Sequence, residues 1–124
     1  MTPTDSRQRT GRLGEDLACR ALEKRGYQIV ARNWRCVGGE IDIIALDGDC
    51  YAFVEVKTRR SRRAGLPEYG LTEDKAQRLL SLAEMYLGEQ GLDRVSWRLD
   101  LVAIELDHRG AVQRLSVIPG VGVS

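Results

Sequence analysis

Asp42, Glu55 and Lys57 are residues whose types and spacing could do chemistry together, with Glu15 a fourth. Glu40–Leu46 (EIDIIAL) and Cys50–Lys57 (CYAFVEVK) are rich in β-branched and aromatic residues. They flank the turn-forming Asp47-Gly48-Asp49, a pattern that predicts an antiparallel hairpin. With a loop of two residues (48–49) or four (47–50), opposed residues have numbers summing to 97; a three-residue loop breaks that register. Asp42 then faces Glu55, and Glu40 faces Lys57. Directly opposed residues share a sheet face with Cβ atoms about 4.5–5.5 Å apart, and residues two apart on a strand also share one. Asp42, Glu55 and Lys57 therefore project together. Opposed carboxylates destabilise a sheet unless a cation lies between them, so either Lys57 or a divalent ion must supply positive charge. Clustered carboxylate oxygens suit Mg²⁺ or Mn²⁺, and the main-chain carbonyl of Val56 could add another oxygen. The plainer alternative is a half-wet sheet with an ordinary Glu40–Lys57 salt bridge.

Two helices must frame such a site. The first is expected over Thr10–Arg25, stopped by Gly26, with Leu13, Leu17 and Ala21 as its buried stripe and Ala18 and Leu22 beside them. Glu15 heads a second stripe with Ala18, Cys19 and Leu22, from which an acid at the apolar margin can lean toward the sheet. The second helix is expected over Leu71–Leu87 with Thr72 as N-cap and an apolar face of Ala76, Leu79, Leu80, Ala83, Tyr86 and Leu87. Lys75 lies in line with Leu79, Leu82 and Tyr86. Glu15 and Lys75 either frame the pocket or are solvated helix charges.

The remaining strands are expected at Tyr27–Trp34, Val95–Leu106 and Ala111–Ile118, and residues 1–9 read as a flexible arm. A strand–helix–strand crossover makes Cys50–Lys57 and Val95–Leu106 parallel neighbours. The order αβββαβ, then β, predicts an α/β protein with a mixed central sheet flanked by helices.

The 124 residues make one domain's worth, with 43% apolar and 30% charged residues. The net charge of +1 does not announce a nucleic-acid binder, but local potential matters more than the total. No apolar run approaches the roughly 20 residues of a membrane helix, and the polar N-terminus lacks a signal-peptide core. Cys19, Cys36 and Cys50 are odd in number and lack CxxC spacing, so reduced thiols and a cytoplasmic location are expected. His108 sits in a turn, 107–110, and reads as solvated.

Asp42, then twelve residues, then Glu55-Val56-Lys57 resembles the D…(D/E)xK signature of the PD-(D/E)xK nucleases. Glu15 on a preceding helix resembles the extra acid of the archaeal Holliday-junction resolvase branch. Closer still, the chain resembles the YraN-like family of small bacterial proteins. The matching segments are Gly11-Arg-Leu-Gly-Glu15, Gly26-Tyr27, Arg32-Asn33, Gly39-Glu40-Ile41-Asp42, Phe53-Val-Glu-Val-Lys57 and Arg98-Leu-Asp-Leu-Val102, which span nearly the whole chain. The resemblance implies a restriction-endonuclease-like fold with an αβββαβ core. It also implies that Asp42 and Glu55 hold a Mg²⁺ or Mn²⁺ ion and that Lys57 orients the attacking water or stabilises developing phosphate charge. Glu15 would complete the acidic cluster. Ile41 stands where the superfamily's name has proline. The QxxxY signature of the exonuclease branch is absent, since Ser81 follows Gln77 by four places, which argues against an end-processing motor partner.

Lys57, Arg59, Arg60, Arg62 and Arg63 put five positive charges within the seven residues 57–63, at the end of the expected strand and the start of an expected loop, 58–70, and Arg7, Arg9 and Arg12 precede Glu15. Arginine forks suit phosphate. Arg59, Arg60, Arg62, Arg63, Lys75 and Arg12 are therefore the expected nucleic-acid contacts, with a merely solvated loop as the alternative. Few aromatics are present for base stacking, so shape and backbone contacts fit better. The leading expectation is a divalent-metal-dependent endonuclease acting on structured or branched DNA. The rivals are a non-catalytic nucleic-acid-binding module of the same fold and a protein-binding adaptor. A homodimer would match a two-fold substrate.

Overall fold

A computed structural model describes residues 3–60 and 71–121, with side chains for 11–60 and 71–121. Helix α1 (Pro3–Lys24) is followed by β1 (Gln28–Cys36), β2 (Gly39–Asp47), β3 (Cys50–Arg59), α2 (Glu73–Glu89), β4 (Ser96–Leu106) and β5 (Val112–Pro119). The five strands form one sheet in chain order. Only β3 and β4, joined through α2, run parallel; the other pairs are antiparallel. The mixed α/β architecture expected from the element order is the one observed. No described helix is long and apolar enough to cross a membrane.

Each face of the sheet is covered by one helix. On one side Ala18, Cys19 and Leu22 of α1 pack on Ile43, Ala45, Ala52, Val54, Val102 and Ile104. On the other, Leu79, Leu82, Ala83 and Tyr86 of α2 pack on Ile44, Phe53 and Leu99. Strand β4 is buried on both faces from Leu99 to Leu106 and is apolar there except for Asp100 and Glu105, each of which is paired with an arginine.

Helix α1 begins at Pro3, so residues 3–9 continue the helix rather than forming an arm. Proline is well placed in a first turn, where its missing N–H has no intrahelical acceptor to serve. The helix ends where Gly26 takes φ 91° and Tyr27 N–H reaches back to the Leu22 carbonyl at 3.0 Å. Its buried stripe is rotated from the one expected: Gly14, Ala18, Cys19 and Leu22 face the sheet, whereas Leu13 is 41% exposed. Glycine causes the rotation, because a Cβ at Gly14 would collide with Thr58 Oγ1 on β3. The bare backbone lets α1 lie closest to the sheet along the line of residue 14. On α2, Thr72 accepts from Lys75 N–H at 3.2 Å, as an N-cap should. Leu82 is buried there while Leu80 is only partly covered.

The β2–β3 hairpin has the two-residue loop Gly48–Asp49, and its pairs, from Asp47↔Cys50 to Ile43↔Val54, keep the expected register. That ladder stops one pair short of Asp42 and Glu55. A second irregularity lies across β2. Arg32↔Ile43 and Trp34↔Ile41 pair normally, but Asn33 between them has φ 53°, and the Asn33–Asp42 step is absent from the ladder. In consequence Ile41 and Ile44 lie in the α2-side core, whereas Ile43 lies in the α1-side core. The alternation of β2 breaks at Asp42.

Candidate metal and phosphate site

Asp42 sits where β2 parts from both neighbours, and such irregularities re-aim a side chain. Its Oδ2 accepts the N–H of Val56 at 2.9 Å, bridging the gap that the hairpin ladder leaves open. Close by, α1 brings Glu15 and β2 brings Glu40, so that one carboxylate oxygen from each of Glu15, Glu40 and Asp42 lies within 4.8 Å of the others. Glu40 and Asp42 share a cleft of about 240 Å³ with Glu55, Lys75 and Arg78, floored by Leu79 and Leu82 of α2.

Glu55 is only 7% exposed. Its Oε1 takes the ammonium of Lys75 at 3.0 Å and that of Lys57 at 3.5 Å. The cross-strand bridge between Glu40 and Lys57 does not form, because the strands diverge before reaching them. Glu40 instead accepts from Arg35 Nε at 3.2 Å. Arg32 joins α1 to β1, lying 2.8 Å from Asp16 and 3.8 Å from Glu15.

Burial and then the charge of Glu55 push the Asp42 carboxyl from 3.8 up to about 7, with Glu15 and Glu40 adding to the rise and the Val56 N–H opposing it. Burial, followed by the neighbouring Lys75, holds the Lys57 ammonium below its ordinary range. For Lys75 burial also works downward, but its contacts with Lys57 and Glu55 outweigh that and carry it upward. The centre thus holds four carboxylates crowded against one another, with two lysines leaning on one of them. All-oxygen donors of this kind match the preference of Mg²⁺ and Mn²⁺.

The structure brings Glu15, Asp42, Glu55 and Lys57 together. Lys75, expected among the phosphate contacts, reaches into the same cluster. Val56, expected to lend a carbonyl, is seen donating its N–H. Arg12 is exposed on α1, one turn before Glu15. Arg59 closes β3, and Arg60 follows it beside a separate cleft; the expected loop thus starts two residues later than Thr58. Arg62 and Arg63 lie outside the described residues.

Glu40 and Arg78 were not anticipated as site residues. A signal for Glu40 existed: it stands two residues from Asp42, the spacing that grouped Glu55 with Lys57. A further polar cluster was also missed. On the α1 face Arg98 donates to Asp100 (Nε–Oδ1 2.8 Å), to Asp47 (2.9 Å) and to the Tyr27 hydroxyl (2.7 Å). Tyr27 in turn donates to Asp100 at 3.1 Å, and Gly120 N–H donates to the same carboxylate at 3.2 Å. This network joins four separated segments and is fully satisfied, which marks it as structural. The cysteines Cys19, Cys36 and Cys50 are unbridged.

Residues 14–104 match the Uncharacterised protein family UPF0102. A UPF0102 protein of Syntrophus aciditrophicus is 48% identical over 102 residues, covering 82% of this chain and 80% of its own. One from Roseiflexus castenholzii is 44% identical and covers 94% of each chain. One from Mycolicibacterium vanbaalenii is 41% identical, covering 98% of this chain and 99% of its own. With a match this long and relatives this similar over most of both lengths, the chain belongs to the UPF0102 family, the YraN-like family that its sequence segments resemble.

Proposed function

We propose that this protein is a divalent-metal-dependent nuclease that hydrolyses phosphodiester bonds in structured or branched DNA, with Mg²⁺ or Mn²⁺ as its ion. The observation that carries this reading is that Glu40, Asp42, Glu55 and Lys75 line one small cleft, with Glu15 close to Glu40 and Asp42 and Lys57 on Glu55. Burial and the charge of Glu55 raise the Asp42 carboxyl to about 7, and a divalent ion shared by these carboxylates would offset that repulsion.

Glu15, Glu40 and Asp42 are the residues that would hold the ion, with Glu55 joining when it leaves its lysines. When bound, the ion would supply charge neutralisation at the scissile phosphate and would lower the pKa of water beside it. Lys57 projects beside Glu55 with its ammonium held at lowered basicity. It is placed to orient an attacking water and to give a proton or a hydrogen bond to a phosphate oxygen as negative charge develops. Lys75 and Arg78 face the same cleft from α2 and would hold the flanking phosphate.

A second reading is a non-catalytic nucleic-acid-binding module. It is favoured by the two ammonium groups on Glu55, which already neutralise that carboxylate without a metal. One experiment separates the two: purified protein is offered branched, flapped and linear DNA and RNA with Mg²⁺ or Mn²⁺. The nuclease cuts at least one substrate, and Lys57→Ala lowers the rate at least a hundred-fold with little change in Mn²⁺ or DNA affinity, the mark of a contact made in the transition state. If the wild type cuts nothing with either ion, the nuclease reading falls.

A further inference from the structure

Beyond the carboxylate centre, the same face of β3 carries a second polar site. Alternation puts Arg59 on the side of Glu55 and Lys57, about 13 Å beyond Glu55 at roughly 3.3 Å per residue. Arg59 pairs with Glu105 in the parallel ladder. Beside it opens a cleft of about 310 Å³ lined by Arg59, Arg60, Glu105, Asp107, His108 and Gln113. That volume corresponds to about ten waters at roughly 30 Å³ each, room for a phosphodiester group and part of its hydration.

The acids of this cleft are already engaged. Glu105 takes Arg114 Nε at 2.8 Å. Asp107 Oδ1 is spent on the N–H groups of Arg109 and Ala111, at 2.8 and 2.9 Å, closing the β4–β5 turn. The arginines are in the opposite condition. Among the described residues no carboxylate pairs with Arg59 or Arg60, and the buried Nε–H of Arg59 has no acceptor at all. Buried donors are almost always satisfied, so an orphan of this kind points to a missing acceptor. The local chemistry asks for an anion that brings several oxygens at once, which suits a guanidinium fork.

We propose that this cleft is a phosphate-binding subsite that holds a backbone phosphodiester of the nucleic acid, displaced along β3 from the phosphate at the carboxylate centre. The proposal rests on the nucleic-acid reading above but needs neither metal nor turnover. It sets the path of the bound strand: across the mouth between β2 and β3, then along β3 toward the β4–β5 turn. Arg59 and Arg60 are its binding residues.

The test is metal-free binding of a short labelled DNA duplex across a salt series, with Arg59→Met compared with the wild type and with Arg20→Met, a control on the exposed face of α1. Methionine keeps an unbranched apolar stem while removing the charge and the orphan N–H. Arg59→Met should bind several-fold more weakly, with a log–log salt slope flatter by about 0.9, the loss of one phosphate contact. Its thermal midpoint should equal or exceed that of the wild type, because the unsatisfied donor is gone. Arg20→Met should leave the slope unaltered. An unchanged slope in a folded Arg59→Met protein, or a lowered midpoint with unchanged affinity, overturns the subsite. In a second arm, inorganic phosphate should stabilise the wild type more than chloride of equal ionic strength and Arg59→Met should lose that difference; stabilisation by phosphate with an unchanged DNA slope would assign the cleft to free phosphate and overturn the backbone assignment, and equal effects of the two anions would overturn the oxyanion subsite. A protein that binds through Arg59 yet cuts nothing would sink the nuclease reading and leave this one standing.

Discussion

Asp42 concentrates the electrostatic problem of this molecule in one carboxyl. Its pKa stands at about 7 in the folded chain against 3.8 for the free side chain, chiefly through burial and the charge of Glu55. The folded chain therefore holds this proton more tightly than the unfolded one. The contribution to stability is complete below about pH 4 and is lost as pH rises through about 7. Metal-free protein should show a urea midpoint that declines between about pH 4 and pH 7 and levels off above, reflecting a few kcal/mol at about 1.4 kcal/mol per pKa unit. Asp42→Asn should flatten that decline and weaken Mn²⁺ binding by at least ten-fold, as read by calorimetry. A variant that keeps both the decline and the affinity would clear Asp42 of either role. At this scale much of the site was legible, because Asp42, Glu55 and Lys57 are neighbours within one hairpin whose register follows from its turn. Glu40 was not. Its fate depends on the strands parting at Asp42, and that parting accompanies the left-handed backbone of Asn33, of which the sequence carries only an asparagine's tolerance for φ > 0.

Among the elements, α1 depends most on a single position. Gly14 lets the helix backbone lie against Thr58, and the next residue, Glu15, is thereby carried to the acidic cluster. Gly14→Ala would gain helix propensity of up to about 1 kcal/mol, so a merely helical role predicts a more stable protein with the same metal affinity. The packing predicts otherwise. The added methyl strikes Thr58 Oγ1, the helix moves outward, and Mn²⁺ affinity should fall several-fold. Thr58→Ala in the same chain removes the obstructing oxygen and should restore most of the loss. Calorimetry on the two single variants and the double variant checks this, and an affinity unmoved in Gly14→Ala would refute it. Hydrophobic periodicity alone placed the buried stripe along Leu13, Leu17 and Ala21. It could not see that the absence of a side chain decides which line of a helix comes closest to a sheet.

For the whole molecule, the Tyr27–Arg98–Asp100 cluster ties the exit of α1, the hairpin end of β2, β4 and the segment after β5 into one frame. Asp100 is 1% exposed. Asp100→Ala leaves the Arg98 guanidinium and the Tyr27 hydroxyl short of a buried acceptor, a loss on the order of 3 kcal/mol. Urea unfolding should record that drop, while Mn²⁺ affinity stays within about two-fold because the cluster lies at the hairpin end of β2, at the other end of that strand from Glu40 and Asp42. A comparable loss of metal affinity in folded protein would mean that the two ends are coupled. The β2–β3 hairpin and the parallel crossover were readable from the pattern of strands and helices. This network was not, since Tyr27 and Asp100 stand 73 positions apart and nothing local links them.

The parallel pairing of β3 with β4 also orders events in time. Strands β1, β2 and β3 join through two tight turns and can pair within microseconds of being free to do so, whereas Cys50 meets Ser96 only after all of α2 has been made. At a synthesis rate of roughly 5–20 residues per second, β3 spends several seconds with one edge unpaired. That edge belongs to the apolar run Ala52-Phe53-Val54, whose side chains are all buried in the finished protein. A nascent chain of this protein therefore passes through an interval in which an apolar strand edge is open, and it closes only when β4 emerges.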